Sequence, residues 1–426
     1  MRILVWGINY APELTGIAPY NTALCQFLQA RGHRVRMVTT FAYYPAWRKA
    51  LEDRGRLYRT DTLAGVAVHR CWHYVPRRPS VLKRVLHEAS FVGGSLARVL
   101  TLPRPDVVVV VSPPLLLGAA AWLVSRCWRR PFLFHVQDLQ PDAAVGLGML
   151  QPSLVTRWLY RLEALAYRKA SRVSGISEGM VSAFRRKGVP PDKCLYFPNG
   201  VRLPAATPPP AWGGFRLRQQ LGADDFLAVY SGNLGVKQGL EVLVEAAART
   251  RNPQLRVIVC GDGADRHRLA ARVAALRLRN LTLLPLQPEA RFQELLEDTD
   301  VSVITQQHGA GGAFFPSKLL ASLAHGKPIL AVADDASELT RALKAGGFGV
   351  QVSPGDPAGL AERLDELAGA PARLLGYGRA GRRFVRQFEL EKVLADFERE
   401  LLQLGPAPRP APRDRRTGRA LAPSIR

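Results

Sequence analysis

The chain has 426 residues, of which 47% are hydrophobic and 22% charged, as in a globular protein with two or three domains and large buried cores. Its five cysteines are odd in number, far apart and without a CxxC pair, so their spacing does not suggest a metal site, and a reducing cytosol is the expected compartment. The formal net charge of +24 is unusually high.

The positive charge is concentrated in the first half of the chain. Residues 1–200 carry 28 lysines and arginines against 11 aspartates and glutamates, whereas residues 201–400 carry 25 against 23. A basic domain can bind nucleic acid or an anionic membrane surface, or its arginines can simply be solvated. No fingerprint of a nucleic-acid-binding fold is present, so we favour the membrane surface and expect no nucleic acid partner.

In the first half, apolar strand-like runs alternate with segments of helix length. The predicted strands are Ile3–Ile8, Arg34–Thr39, Val66–Cys71, Val107–Val111, Phe132–Val136, Arg172–Ile176 and Cys194–Phe197. The predicted helices are Tyr20–Ala30, Val81–Leu100, Leu115–Trp128, Leu154–Ala170 and Glu178–Lys187. This alternation is typical of parallel βαβ units in a doubly wound sheet. The apolar run 107–124 is interrupted by Ser112-Pro113-Pro114, which favours a strand and a buried helix over a membrane span.

Two loops of the first half follow predicted strands and carry candidate ligand-binding residues. Gly16 lies just before the first helix, where a small residue lets a phosphate or sugar approach the backbone. His135 and Asp138, in FLFHVQDLQPD, lie at the carboxyl end of a strand, which faces the ligand crevice of an open α/β sheet. Such a pair can orient a sugar hydroxyl or move its proton. A plain turn at Gly16 and a structural histidine at position 135 are the alternatives.

A change in composition separates the two halves. The segment 203–214, LPAATPPPAWGG, is rich in proline and glycine and has no periodicity, which predicts a linker. The alternation of strands and helices restarts at Phe226, so we expect a second doubly wound domain and a cleft between the two. From Ala370 the pattern is helical, and the proline- and arginine-rich segment 405–426 predicts a disordered tail.

Three turns of the second half predict a site for a phosphorylated ligand. The first, in FLAVYSGNLGVKQGLE, contains Asn233 and brings Lys237 to the start of a helix, where lysine acts as a point charge for phosphate oxygens. The second, in VIVCGDG, contains Gly261 and Gly263. Neither matches a Walker loop or GxGxxG, so neither ATP nor a dinucleotide is indicated. The carboxyl ends of parallel strands meet at one edge, where we expect a nucleotide-like ligand.

The third turn, in AFFPSKLLASLAHGKPIL, opens a predicted helix at Pro316-Ser317-Lys318, directly after Phe315. Free backbone N–H groups, the positive end of the helix dipole and the Lys318 amine converge there, and together they suit a phosphate. An ordinary helix start between a loop and a strand is the alternative.

Taken together, these motifs resemble one known family. The order GNLGVKQGLE, VIVCGDG and PSKLLASLAHGKPILA is similar to the donor half of the family 4 retaining glycosyltransferases. Upstream, GINYAPELTGIAPY, FHVQDLQPD and FPNGV are similar to the acceptor half. The motifs cover roughly residues 1–400 and resemble the bacterial subgroup of colanic acid and related exopolysaccharide biosynthesis.

The resemblance implies the GT-B fold, with two doubly wound, Rossmann-like domains of the α/β class and an interdomain cleft. Residues 1–200 would bind the acceptor, and residues 201–218 would form the proline-rich linker. Residues 219–403 would bind the nucleotide-sugar donor and end in closing helices that return to the first domain. Residues 404–426 would form the basic tail.

The same resemblance assigns roles to the candidate residues. His135 would contact the sugar, Asp138 would be a polar residue of the cleft, and Lys237 would hold the diphosphate; these are the predicted catalytic residues. The predicted donor-binding residues are Gly16, Asn233, Lys237, Gly261, Gly263, Phe315, Pro316, Ser317 and Lys318. No metal and no cofactor are expected, because lysines and helix dipoles would neutralise a nucleotide-diphosphate sugar that serves as co-substrate.

Three positions depart from the family pattern. Most members carry an arginine where this chain has Asn233, and two glutamates eight residues apart where it has Ala313 and Ala321. The first glutamate normally contacts the donor sugar and the second the ribose. Their absence removes the obvious carboxylate nucleophile, which favours transfer on the front face of the sugar.

The resemblance therefore implies a retaining, metal-independent hexosyltransferase that moves a sugar from a nucleotide-diphosphate sugar to a saccharide acceptor in bacterial exopolysaccharide biosynthesis. We expect a polyprenyl-diphosphate-linked acceptor and a cytoplasmic protein bound peripherally to the inner face of the plasma membrane. The alternatives are a nucleotide-sugar epimerase of the same fold, a nucleic-acid-binding protein that uses its basic first domain, and a catalytically silent sugar-nucleotide binder.

Overall fold

The computed structural model describes residues 1–77, 80–146, 151, 153–204, 213–309 and 318–405. Most of the predicted linker, the predicted helix start at Pro316 and Ser317, and the predicted tail lie outside these residues. The described residues form two α/β sheets, which confirms the prediction of two doubly wound units.

The first sheet contains eight strands. They are β1 (Arg2–Trp6), β2 (Arg34–Thr40), β3 (Tyr58–Leu63), β4 (Val66–Cys71), β5 (Val107–Ser112), β6 (Phe132–Val136), β7 (Arg172–Gly175) and β8 (Cys194–Tyr196). Their order in the sheet is β3-β4-β2-β1-β5-β6-β7-β8, and every neighbouring pair is parallel except β3 and β4. The helices are α1 (Ala18–Ala30), α2 (Val81–Leu100), α3 (Leu116–Trp128), α4 (Gln140–Gly146), α5 (Leu154–Lys169) and α6 (Glu178–Arg186).

The second sheet contains six parallel strands. They are β9 (Phe226–Asn233), β10 (Leu255–Asp262), β11 (Leu281–Leu284), β12 (Val301–Thr305), β13 (Ile329–Val332) and β14 (Gly349–Val352), in the order β11-β10-β9-β12-β13-β14. Its helices are α7 (Gly214–Arg218), α8 (Glu241–Ala247), α9 (Arg266–Ala275), α10 (Glu289–Asp298), α11 (Lys318–Ala324), α12 (Glu338–Gly346), α13 (Pro357–Ala368) and α14 (Pro371–Val385), and α15 (Leu390–Leu404) follows them.

The apolar runs of the sequence become central strands because both faces of each sheet are covered by helices. All six residues of β5 are buried, and its valines pack well on a pleated sheet surface. Sequence analysis did not predict β3, an edge strand of alternating exposed and half-buried residues that pairs antiparallel with β4. Its sequence, YRTDTL, contains no apolar run, so hydrophobic periodicity could not reveal it.

The last helix packs against the first sheet. The apolar face of α15 shares a buried cluster with β1, α1 and β5, and the Phe397 ring stacks on Phe197 at 3.8 Å between centroids. The Glu398 carboxylate is 2.8 Å from the His33 ring and 3.1 Å from the Arg31 guanidinium. The chain therefore returns to the first sheet beside the first connection, where Val201 is hydrogen-bonded to Phe388 and Leu390. No helix among the described residues is long and apolar enough to cross a membrane.

Candidate active site

The carboxyl ends of the two sheets face each other across a cleft. Lys237, which follows β9, lies 3.4 Å from the carboxylate of Asp138, which follows β6. Nearby, the Ser177 hydroxyl at the start of α6 donates to the Glu338 carboxylate at the start of α12, also at 3.4 Å. Loops from both sheets are thus in contact, at the edge where open α/β sheets bind ligands.

The pair of Asp138 and Lys237 brings together two of the predicted catalytic residues. Lys237 lies on a short turn that Gly239 closes with a left-handed φ of 60°. The carbonyl oxygen of Lys237 accepts a hydrogen bond from the Gln307 N–H. One carboxylate oxygen of Asp138 contacts Lys237, and the other is buried without a hydrogen-bond partner among the described residues. The cleft therefore holds a lysine and a carboxylate with acceptor capacity still unused.

Lys318 supplies a second amine beside β9, the strand that precedes Lys237. It is the first residue of α11, and its Nζ atom is buried and has no hydrogen-bond partner among the described residues. The amine lies 3.5 Å from the centre of the Tyr230 ring, a cation–π contact. Burial lowers the pKa of Lys318 to about 7. A buried amine without an anion is costly, so this position favours a negatively charged ligand.

The glycines of the donor loops allow two turns to touch. β9 and β10 stay paired to their ends, with Gly232 opposite Gly261. A Cβ at Gly261 would clash with the Gly232 carbonyl oxygen, and a Cβ at Gly263 would clash with the carbonyl oxygen of Leu234. Gly261 and Gly263 thus let the ends of β9 and β10 lie beside Lys318, whose Nζ would be 3.3 Å from a Cβ at Gly232.

Asn233 ends β9 and is exposed, and its carbonyl oxygen accepts a hydrogen bond from the Tyr230 hydroxyl at 2.7 Å. It carries no charge, so the arginine charge of the family pattern is missing there. The structure places the Lys318 amine on the ring of Tyr230, three residues earlier on the same strand. Lys318 therefore brings an amine that can be protonated close to the strand end where the arginine is lost.

The predicted glycine loop of the first domain also faces the cleft. Gly16 has a left-handed φ of 67°, and a Cβ there would lie 3.5 Å from the Tyr44 ring. The buried Glu13 carboxylate accepts hydrogen bonds from the N–H groups of Tyr43 and Tyr44 and fixes the two loops together. Burial raises the pKa of Tyr44, and the charge of Asp262 on the opposite side of the cleft adds to this effect.

His135 lies behind the cleft rather than in it. The ring is 2% exposed, and its nitrogens contact the Ser174 hydroxyl at 2.9 Å and the Gln137 amide at 2.8 Å. Gln137 in turn exchanges two hydrogen bonds with Asn199. Burial lowers the pKa of His135 to about 3, so the ring is neutral at pH 7. The structure does not bring His135 together with Lys237, and direct sugar contact stays a prediction; the geometry favours positioning of the loop that carries Asp138.

Two polar residues near this edge, Gln306 and Glu88, are not among the predicted site residues. Gln306 directly follows β12, is 1% exposed, and has both amide atoms without a partner among the described residues. Burial raises the pKa of Glu88 to about 7; its carboxylate accepts a hydrogen bond from Gln140 and feels the charge of Asp138. The rule that strand carboxyl ends bind ligands could have identified Gln306, but nothing in the sequence distinguishes Glu88 within α2.

The remaining predicted residues lie outside the described part of the chain. These are Phe315, Pro316 and Ser317, together with Ala313 of the altered glutamate pair. Ala321 lies within α11, where its carbonyl oxygen accepts a hydrogen bond from the His325 ring at 2.9 Å. Across the described ranges, no group of three or more His, Cys, Asp or Glu side chains could hold a metal ion.

Family models match both halves of the chain. The model described as "Glycosyl transferase 4-like domain" matches residues 15–200, and the one described as "Glycosyl transferases group 1" matches residues 215–383. The chain is 35% identical over 346 residues to an Escherichia coli K12 protein that bears the name colanic acid biosynthesis glycosyl transferase WcaI, covering 80% of this chain and 85% of that one. It is 30% identical to the Pseudomonas aeruginosa glycosyltransferase WbjE over 64% of this chain and 68% of that protein.

Solved structures share the whole architecture at low sequence identity. Sucrose-phosphate synthase of Thermosynechococcus elongatus superposes with a TM-score of 0.74 at 18% identity, covering 95% of this chain and 98% of that one. HepE of Anabaena, solved with UDP-glucose, gives a TM-score of 0.69 at 18% identity, covering 94% and 99%. WaaG, a glycosyltransferase of lipopolysaccharide biosynthesis, gives 0.67 at 15% identity, covering 93% and 98%. These likenesses establish the GT-B fold.

Proposed function

Because the chain belongs to the family 4 (group 1) glycosyltransferases, we propose that it moves a sugar from a nucleotide-diphosphate sugar to a saccharide acceptor with retention of configuration. The observation that carries this proposal is the buried amine of Lys318 beside the ends of β9 and β10, where no anion partner is present among the described residues. The diphosphate of the donor would supply that anion. The relatives with colanic acid and glycosyltransferase names support a role in exopolysaccharide biosynthesis.

The donor diphosphate would lie between Lys318 and Lys237. Two fixed amines at this point stabilise the negative charge that develops as the bond between the sugar and the phosphate breaks, and such preorganised charge is the largest catalytic contribution in many enzymes. The acceptor hydroxyl would attack on the face from which the diphosphate departs. The departing phosphate oxygen would then take the proton of that hydroxyl, so no separate base is required.

Asp138 would orient the acceptor hydroxyl. Its carboxylate is held by Lys237 on one oxygen and keeps the other available for a donor group. Because its pairing with the Lys237 amine draws negative charge away from nucleophilic use, we assign Asp138 positioning and not nucleophilic attack. The reaction as written needs no metal, because the two lysines carry the charge that a divalent cation would otherwise supply.

A panel of nucleotide sugars tests the proposed donor site. The purified protein is incubated with UDP-, GDP- and dTDP-sugars, and thermal unfolding and release of nucleoside diphosphate are followed. We expect at least one nucleotide sugar to raise the unfolding temperature, with little nucleoside diphosphate released until a saccharide acceptor is added. Release or isomerisation of the donor without any acceptor would instead indicate an epimerase.

The lowered pKa of Lys318 predicts proton uptake on donor binding. Near pH 8 the free amine is mostly neutral, because its pKa is about 7. A bound diphosphate favours the charged form and raises that pKa, so binding takes up a proton and affinity falls by up to about tenfold per pH unit above pH 7. Titration calorimetry with UDP-glucose at pH 8, in buffers of different ionisation enthalpy, should give an uptake approaching one proton.

Two variants identify which lysine takes up the proton. Lys318→Met should abolish the uptake, whereas Lys237→Met should weaken binding but leave the uptake unchanged. UDP-glucose is a suitable probe because its diphosphate does not titrate near pH 8, and HepE of the same fold was solved with it. Binding without proton uptake in the unaltered protein would contradict the placement of the diphosphate at Lys318.

The acceptor is proposed to be linked to a polyprenyl diphosphate, with the protein bound to the cytoplasmic face of the membrane. The support is the charge asymmetry, since residues 1–200 hold most of the excess positive charge. A peripheral enzyme of this kind would place its first domain on the anionic leaflet, where the sugar end of a lipid-linked acceptor could reach the cleft.

A further inference from the structure

The first domain exposes an apolar and basic surface at the starts of two helices. Residues 82–86 of α2 are all exposed, and they comprise Leu82, Lys83, Arg84, Val85 and Leu86. A helix that packs on a sheet normally buries one side of every turn. Here Leu82 is 78% exposed and Val85 and Leu86 are exposed beside it, whereas the Arg84 guanidinium lies 5.6 Å from the centre of the Trp47 ring.

The start of α5 repeats the same pattern. Leu154, Val155 and Trp158 are exposed there, with Leu154 at 81%, and the exposed side chains of Arg157 and Arg161 lie among them. The Ser153 hydroxyl accepts a hydrogen bond from the Thr156 N–H and fixes the start of the helix. Of the eighteen exposed large apolar side chains found among the described residues, fourteen lie in residues 1–200. The apolar exposure and the positive charge are therefore on the same domain.

Both helix starts lie at one edge of the first domain. α2 packs on α3 and α3 packs on α5, so the three helices cover one face of the sheet. Each helix connects two parallel strands and runs opposite to them, which places its start at the carboxyl ends of the strands. That edge also carries Asp138 and the cleft. A surface formed by the starts of α2 and α5 would therefore bring the cleft close to the partner that this surface binds.

The charge at this edge favours a negatively charged binding partner. The first turns of α2 and α5 contain no acidic residue, whereas α6, α10 and α12 begin with Glu178, Glu289 and Glu338. Helix starts attract anions through the backbone dipole, and here no side chain neutralises that attraction. Leucine and tryptophan side chains among arginines and lysines suit the interface of an anionic bilayer.

We propose that the starts of α2 and α5 form a two-point docking surface for an anionic lipid bilayer, into which Leu82, Leu86, Leu154 and Trp158 insert. Lys83 and Arg157 lie at the level of the lipid phosphates and contact them. This proposal depends on the proposed function in one respect. A lipid-linked acceptor must reach the cleft from the bilayer, so the docking surface must hold the cleft close to the membrane.

Vesicle sedimentation of the full-length protein tests this surface. Binding to vesicles that contain phosphatidylglycerol is compared with binding to phosphatidylcholine vesicles, at low and high salt. We expect binding to the anionic vesicles only, with release at high salt. The double variant Lys83→Gln/Arg157→Gln should lower partitioning by about 25-fold, since each basic residue at such a surface contributes about fivefold. Leu82→Ser/Leu86→Ser should lower it by at least about tenfold.

A matched control lies on the second domain. Leu375→Ser/Arg379→Gln removes an exposed leucine and an exposed arginine from α14 and should leave partitioning unchanged. All variants should keep the UDP-glucose affinity of the unaltered protein, which separates the surface from the donor site. Unchanged vesicle binding in both surface variants would overturn the proposal. So would a change of oligomeric state without lipid in Leu82→Ser/Leu86→Ser, which would make the patch a protein interface.

Discussion

Replacing Lys237 by alanine is expected to lower the turnover of sugar transfer by about 10²- to 10³-fold, the loss typical of one preorganised charge at a developing anion. Lys237 is the cationic partner of Asp138 across the cleft, at 3.4 Å. Without it, Lys318 alone of the two proposed amines would stabilise the charge of the departing diphosphate. Asp138 would also lose its cationic partner. Both consequences slow the same step.

The effect of the Lys237 variant must be separated from a loss of folding. Lys344→Ala, which removes an exposed lysine near the end of α12, should keep full turnover and the same unfolding temperature. Lys237→Arg should recover part of the activity, because it restores the charge with a different shape. Steady-state kinetics with a saturating donor measures the change. Full turnover in Lys237→Ala would remove this residue from the mechanism.

Replacing Gly261 by alanine is expected to lower the free energy of unfolding by about 3 kcal/mol and to abolish donor binding. The added methyl group would clash with the carbonyl oxygen of Gly232 on the neighbouring strand, and backbone cannot rotate away as a side chain can. The ends of β9 and β10 would have to separate. That separation moves the strand end on which Lys318 rests.

The matched control for Gly261 is Gly376→Ala in α14, where an added methyl group meets no atom within 4 Å. Alanine is favoured over glycine within a helix by about 1 kcal/mol, so this variant should be as stable as the original or more so. Urea unfolding followed by circular dichroism gives the midpoints. A midpoint for Gly261→Ala equal to that of Gly376→Ala would contradict the close packing of the two strands.

The sequence was sufficient to predict both sheets because their central strands are continuous apolar runs. The strand β5, for instance, is VVVVVS and is buried throughout. The polar edge strand β3 lacks that signal and was missed. The order of glycine turns and lysines also predicted that these loops lie together, since the carboxyl ends of parallel strands share one edge, and donor binding there stays a prediction.

The environment of individual side chains could not be predicted in the same way. Lys318, on helix α11, is buried against Tyr230, which lies 88 positions earlier on strand β9, and this contact lowers the exposure of the amine. His135 was placed correctly at a strand end, yet its ring is held by Ser174 and Gln137 behind the cleft. Strand position identifies an edge of the sheet, whereas the packing of distant segments decides which side chains reach the ligand.

The proposed retaining transfer can be tested by following one round of the reaction by NMR, with the donor identified in the nucleotide-sugar panel. We expect release of one nucleoside diphosphate for each glycosidic bond formed, a product with the same anomeric configuration as the donor, and an unchanged rate after treatment with EDTA. Inverted configuration in the product, or release of a nucleoside monophosphate in place of the diphosphate, would contradict it.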